Sequence, residues 1–292
     1  MTKTTDIDKI KIVEMYKNGL CCNEIGRKFN ITGGAVSGLL KRRGIEIRIN
    51  NKTNLKYPID TSFFDKIDTE KKAYFLGLLY ADGCNYIKNR TVSIQLNKED
   101  GYILEQLSKC FYEKRPLSLI KKNNKNWSDS VKLVICSKEL CNKLEKLGCI
   151  PNKSLKLKFP DLNIVPKILL NHFIRGYFDG DGCICNYKNQ FCINITGSLS
   201  FISELQNILK NETNINFTIS IRHKENKKCL TISSGGNIQM LKIFSWFYKD
   251  ATIFLIRKYN KFIELFEICK SMKYIHVSRQ NKINTILKEM TN

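Results

Sequence analysis

The 292-residue sequence predicts an α+β fold built by internal duplication, with a small all-α module ahead of it. Three observations carry that expectation. The stretch Gly77-Leu-Leu-Tyr-Ala-Asp82-Gly83-Cys84 returns as Gly176-Tyr-Phe-Asp-Gly-Asp181-Gly182-Cys183, 99 positions on (82 to 181). The same order of helical and alternating patterns follows each copy. The chain also carries 49 Lys and Arg against 27 Asp and Glu, a net charge of +22, yet 42% of its residues are hydrophobic. That is too apolar for a disordered polycation, and the simplest partner for such a charge is a polyanion.

The elements follow in order. Residues 1–48 read as a helix-turn-helix module. Ile10, Val13 and Met15 mark a first helix stopped by Asn18-Gly19, and Glu24 to Phe29 form a short second helix. Thr32 caps a third that ends in Lys41-Arg42-Arg43. The pair Gly33-Gly34 argues against that helix and equally suits a loop around phosphate. Residues 1–58 hold 12 Lys and Arg against 5 Asp and Glu. Residues 49–68 read as a linker. The first half spans 69–165, the second 166–272, and a basic tail or helix covers 273–292.

Within each half the expected order is helix, two strands, helix, two strands, helix, an αββαββα unit with pseudo-twofold repetition. Strands are expected over Thr91 to Asn97 and Phe191 to Thr196, helices over Asp100 to Phe111 and Ser198 to Leu209. Further alternating stretches are Val131 to Cys136 and Phe217 to Ile221, and the last helices Lys138 to Leu147 and Ile238 to Phe247.

The repeated segments carry the chemistry. Phe75, Leu76, Leu78 and Leu79, and in the second copy Phe173, Ile174, Tyr177 and Phe178, leave each helix apolar around most of its girth, so both are buried. Gly77 and Gly176 sit mid-helix, where glycine costs ~1 kcal/mol relative to alanine, unless two backbones must approach closely. Gly83 and Gly182 suit a left-handed helix stop. Asp82 and Asp181 then lie on negative helix ends, where a carboxylate is disfavoured. Side by side they require a shared proton or a cation, and two hard oxygen donors suit Mg²⁺, with Mn²⁺ able to substitute. A lone Asp-Gly is a common turn dipeptide, but two copies in one context outweigh that reading.

Composition excludes other classes. The longest apolar run, Ala73 to Ala81, is about half the ~20 residues that span a bilayer, and the N-terminal stretch is a polar helix pattern rather than a signal segment. No membrane association is expected, and the site of action is cytoplasmic: a bacterial or phage-infected cell, or an organellar matrix, at the nucleoid. Twelve cysteines include no Cys-x-x-Cys pair, and most fall in apolar runs. They read as reduced, structural thiols.

Phe75-Leu-Gly-Leu-Leu-Tyr-Ala-Asp82-Gly83 and Ile174-Arg-Gly-Tyr-Phe-Asp-Gly-Asp181-Gly182 resemble the two signature motifs of the LAGLIDADG homing endonucleases, over roughly Thr69 to Ser271. The resemblance implies signature helices packed at a pseudo-twofold axis and saddle-shaped antiparallel sheets gripping a long DNA site. It makes Asp82 and Asp181 the metal-binding catalytic pair. Asp179 is the inner acid of the second motif, where the first has Tyr80. Gly148 to Ser154 and Asp250 to Tyr259 look like the family's basic elements, which implies roles near the scissile phosphates for Lys153 and Lys258. Positions near Asn97-Lys98 and Thr196-Gly197 are candidates for ordering water but differ between copies. The helix-turn-helix lies outside the family's core.

The function expected is a monomeric, divalent-metal-dependent endonuclease that makes a staggered cut in a long, imperfectly palindromic double-stranded DNA site. The alternative is a binding protein on the same fold, a transcription regulator or a maturase with intron RNA as partner, and retention of both aspartates favours the enzyme. A nuclease of another class ranks last, because His172, His223 and His276 are far apart and Glu225-Asn-Lys227 sits in a charged turn.

Overall fold

A computed structural model describes residues 5–47, 57–122, 128–223, 226–271 and 277–291. Glu225 and His276 lie outside these, as do residue 48 of the expected helix-turn-helix module and the stretch 49–56 of the expected linker. Two compact units result, Met1–Pro58 and Ile59–Asn292. Among the described residues no helix is long and apolar enough to cross a membrane.

The first unit contains α1 (Asp6–Lys17), α2 (Cys22–Lys28) and α3 (Gly33–Arg42). Thr5 and Asp8 form a capping box on α1, and the Thr32 hydroxyl accepts from the Ala35 amide at 3.1 Å. Gly19 has φ +103° where α1 stops. Gly33 and Gly34 are helical after all, because the Thr32 cap supplies the start that glycine lacks. The core is Ile12, Tyr16, Ile25, Val36, Leu39 and Leu40. Ile10 is exposed, because the buried face of α1 runs through Ile12 and Tyr16, four residues apart.

The second unit repeats one plan. Its first half runs α4 (Glu70–Ala81), β1 (Cys84–Tyr86), β2 (Thr91–Asn97), α5 (Gly101–Ser108), β3 (Ser118–Ile120), β4 (Ser130–Cys136) and α6 (Lys138–Lys146). The second runs α7 (Leu170–Asp181), β5 (Gly182–Tyr187), β6 (Gln190–Ser198), α8 (Leu199–Thr213), β7 (Thr218–His223), β8 (Asn226–Gly235) and α9 (Asn237–Tyr248), followed by α10 (Ile256–Ser271) and α11 (Val277–Thr291). The sheets are antiparallel with identical orders, β1-β2-β4-β3 and β5-β6-β8-β7. Of the expected linker, 57–68 is partly packed, with Phe64 and Ile67 buried.

Two of the expected strands are not equivalents. Val131 to Cys136 lies in β4, a central strand, whereas Phe217 to Ile221 falls largely in edge strand β7. The true counterparts differ in legibility because β3 is a three-residue, largely exposed edge and β8 opens in a charged stretch. Alternation points Val92, Ile94, Leu133 and Ile135 inward in the first sheet and Ile193, Ile195, Leu230 and Ile232 in the second. Opposite faces carry Gln95, Asn97 and Lys132, and Asn194, Thr196 and Thr231. That alternation also corrects the cysteine expectation. Cys141, Cys149 and Cys269 are buried, but Cys84, Cys136 and Cys183 are exposed at strand positions facing away from the core.

Helices α4 and α7 cross with their backbones in contact. A Cβ at Gly77 would fall on the Phe173 carbonyl oxygen, and one at Gly176 on that of Tyr74. Residues 73–80 of α4 and 172–179 of α7 are all buried. Gly77→Ala or Gly176→Ala is therefore expected to destabilise by at least ~2 kcal/mol through overpacking, read as a lower thermal midpoint. Gly38→Ala in α3, where a Cβ meets nothing within 4 Å, is the control and stabilises its unit by ~0.5–1 kcal/mol.

Candidate active site

The crossing brings the two helix ends together, and the chain leaves each directly into a strand. Gly83 and Gly182 are not left-handed, contrary to the expectation from sequence. Neither has positive φ, and Gly182 is extended at φ −101°, ψ 159°. Glycine is needed there for a different reason, since a Cβ at either position would strike the preceding turn at Leu79 or Phe178.

Asp82 caps α4 and Asp181 is the last residue of α7. Their proximity shows in two ways. A Cβ on Gly180, one residue before Asp181, would lie 2.9 Å from Asp82 Oδ2. The half-buried Asp82 carboxyl is pushed up to about 6, first by burial and then by the charge of Asp181, with Lys153, Lys258 and Arg257 opposing. Asp181 itself is exposed beside the Tyr177 hydroxyl.

Both expected lysines converge on the same place, but as buried helix caps. Lys153 Nζ donates to the Ala81 carbonyl at 2.7 Å. Lys258 Nζ donates to the carbonyls of Phe178, Asp179 and Gly182 at 2.5, 2.8 and 2.6 Å. Cations on helix C-termini offset the negative dipole end. The like charges of Asp82 and Asp181 are thus already partly balanced by the chain's own lysines, a relief not foreseen from the sequence. Burial drives the Lys258 ammonium down to about 8, against the pull of Asp179.

Asp179 and Tyr80, the mismatched pair of the two motifs, do one job with opposite hydrogen-bond polarity. Asp179 Oδ2 accepts from the Leu255 amide at 2.8 Å and from the Tyr74 hydroxyl at 2.7 Å. Tyr80 donates its hydroxyl to the Leu147 carbonyl at 2.5 Å. Each tethers the loop that leads to its half's lysine. Of the positions considered for ordering water, Asn97 accepts from Glu99 N at 3.4 Å, and the Thr196 hydroxyl lies 3.1 Å from that of Thr231.

Sequence reasoning missed Arg175. Fully buried, it donates to Glu70 Oε1 (2.6 Å) and to the carbonyls of Phe247 (2.6 Å) and Ile253 (3.1 Å), and meets His172 Nδ1 at 2.9 Å. The available signal was a single arginine inside an apolar helix. Glu70 had none, because its partners Thr252 and Ile253 lie more than 180 positions away.

Among the described residues no group of three or more His, Cys, Asp or Glu side chains could hold a metal ion. A cation between Asp82 and Asp181 would take its remaining ligands from water or phosphate. Ala81 and Gly182, the carbonyls flanking the carboxylates, are engaged by the lysines. Two hard oxygen donors with open positions fit Mg²⁺, which keeps several waters.

Residues 169–242, from the start of α7 into α9, match a family model described as a LAGLIDADG-like domain. The match falls within the second half and covers its first helix, its sheet and the start of α9. The chain is also 30% identical over 230 residues to a protein of Methanocaldococcus jannaschii named probable translation initiation factor IF-2, covering 72% of this chain but 18% of that one. The chain thus spans under a fifth of that relative's length. Solved structures similar to it include the meganuclease I-SmaMI bound to uncleaveable DNA, with TM-score 0.47, 14% identity, and coverage of 75% of this chain and 97% of that one. Another is the I-LtrWI LAGLIDADG homing endonuclease bound to target DNA, with TM-score 0.44, 15% identity, and coverage of 79% and 98%. Helix α7, which ends in Asp181, opens the matched stretch.

Burial, with the Arg175 guanidinium adding to it, holds the His172 imidazole down to about 4. Nδ1 is then an unprotonated acceptor for Arg175. Between pH 6.5 and 4 the unfolded chain binds a proton that the folded chain does not, so stability falls as pH drops through that window. At ~1.4 kcal/mol per pK unit the loss approaches ~3 kcal/mol. Urea unfolding at pH 7 and 4.5 should show this loss, and His172→Gln should reduce it.

Proposed function

We propose that the second unit is a site-specific double-strand DNA endonuclease in which Asp82 and Asp181 hold divalent cation, Mg²⁺ or Mn²⁺, against a phosphodiester. The observation that carries this reading is the meeting of two carboxylates, one from each half, at the ends of backbone-packed helices in a chain of net charge +22. The LAGLIDADG-like domain match supports it.

Asp82 and Asp181 would hold a divalent cation, which would supply a more acidic water and offset charge on the departing oxygen. Asp82 and Asp181 orient that centre, and Lys153 and Lys258 supply positive charge beside it. In the hydrolysis, the oxygen of one water bonds to phosphorus, one P–O bond breaks, and the departing sugar oxygen takes a proton to end as a hydroxyl. The outer sheet faces, with Gln95, Asn97 and Lys132 in one half and Asn194, Thr196 and Thr231 in the other, offer different hydrogen-bonding sets to base edges. A target whose half-sites differ, read by one monomer, follows from that difference. The N-terminal unit adds grip on flanking DNA as a helix-turn-helix.

Incubation with a randomised duplex library and Mg²⁺, followed by sequencing of the cut molecules, tests the reading. Enrichment of one long motif supports it, whereas binding without any cut points to a regulator or maturase. With the selected site, Asp82→Asn and Asp181→Asn should each abolish cleavage while DNA affinity stays within a few-fold, since phosphate contacts supply most of it. Cleavage should stop in chelator and decline as pH falls through about 6, where Asp82 takes up a proton and loses its charge for a cation. The same charge costs stability above pH 6, so Asp82→Asn should raise the unfolding free energy at pH 8 by ~1–3 kcal/mol, read as a higher melting temperature, and by less below pH 6.

Removing residues 1–58 should weaken binding and flatten its dependence on log[salt] without ending catalysis. An unchanged salt slope would mean that this unit does not touch DNA.

A further inference from the structure

The two lysines beside the carboxylates are equivalent in the repeat but not in their bonding. An ammonium has three donors. Lys258 spends all three on backbone carbonyls, and its Nζ also lies 4.6 Å from the centre of the Phe178 ring. Among the described residues Lys153 spends one, on Ala81. The difference is not one of depth, since their exposures are 4% and 8%. It leaves Lys153 with two donors for an incoming phosphate oxygen and Lys258 with none.

The loops that carry the lysines differ in the same direction. The segment before Lys258 is gripped by the first half. Glu70 accepts from the amides of Thr252 (2.7 Å) and Ile253 (3.2 Å), and the Tyr102 hydroxyl donates to the Phe254 carbonyl (3.0 Å) and accepts from the Ile256 amide (2.6 Å). Asp100 pairs with Arg257 at 2.9 Å. The 147–153 segment is held within its own half, by Tyr80 on Leu147 and by Asn85 on the Cys149 carbonyl at 3.0 Å.

We infer that, within the endonuclease reading, Lys153 is the residue that contacts a scissile phosphate while Lys258 is a positioning residue that fixes the Asp181 end of α7, so the two DNA strands are cut at unequal rates. Both strands undergo the hydrolysis written above, and only the local cation differs. A nicked duplex is then an intermediate on the way to the double-strand break.

The test uses the full chain and a duplex carrying the library-selected site, with a different label on each strand. Wild type should pass through a nicked species. Lys153→Met should slow one strand about tenfold or more, lower the melting temperature clearly less than Lys258→Met because one carbonyl rather than three loses its donor, and lower the slope of log affinity against log[salt] by ~0.9, one phosphate contact. Lys258→Met should leave that slope unchanged, slow both strands together, and lower the melting temperature by about 5 °C or more, because three buried carbonyls lose their donor. Mirror-image effects, each variant silencing one strand with equal melting temperatures, would overturn the inference, as would an unchanged salt slope in Lys153→Met. If Lys258→Met does not fold, the Lys153→Met measurements decide alone. If wild type cuts no DNA, the endonuclease reading fails, and equal melting shifts in the two variants would separately refute the division of labour.

Discussion

Contact between two helix backbones is the constraint on which the second unit depends. At Gly77 and Gly176 each helix presents hydrogen where any other residue would place carbon against a carbonyl oxygen of its partner. The approach brings the following turns together, so Asp82 and Asp181, separated by most of a hundred residues, become neighbours. It also explains why both helices are buried around nearly their whole girth. A helix inserted between two halves has no solvent face left to show.

The cost of that closeness appears as electrostatics. Two carboxylates sit on the negative ends of two helices, and the half-buried one has its pKa raised to about 6. The chain answers with lysines placed on the helix-terminal carbonyls, so each carboxylate lies beside a resident cation rather than in an unrelieved field. Charge crowding with incomplete compensation characterises a site tuned for binding something more than for stability.

The halves interlock through exchanged contacts. Glu70, Asp100 and Tyr102 of the first half grip the 252–257 segment, while Ser200 of the second donates to the Leu157 carbonyl at 2.9 Å. These bonds are polar and directional, whereas the helix crossing is set by shape. Shape determines how near the helix ends come, and the polar network determines where the lysine-bearing segments sit relative to them. The network is richer on the second-half segment, through Arg175, Glu70 and Tyr102.

By itself the sequence determined the duplication, the order of elements, the buried character of the repeated helices and the two aspartates, because each is written as local periodicity or as a motif present twice. The strands Thr91–Asn97 and Ser130–Cys136 were legible because one face of each meets the core. β3 and β8 were not, since a short exposed edge and a charged opening carry no alternation. Only tertiary structure could decide that Gly83 and Gly182 relieve a clash rather than turn the chain, that Lys153 and Lys258 are caps, and that Arg175 is buried intact. Those outcomes depend on partners up to 105 positions away, and a residue's neighbours in space leave no trace in its neighbours along the chain.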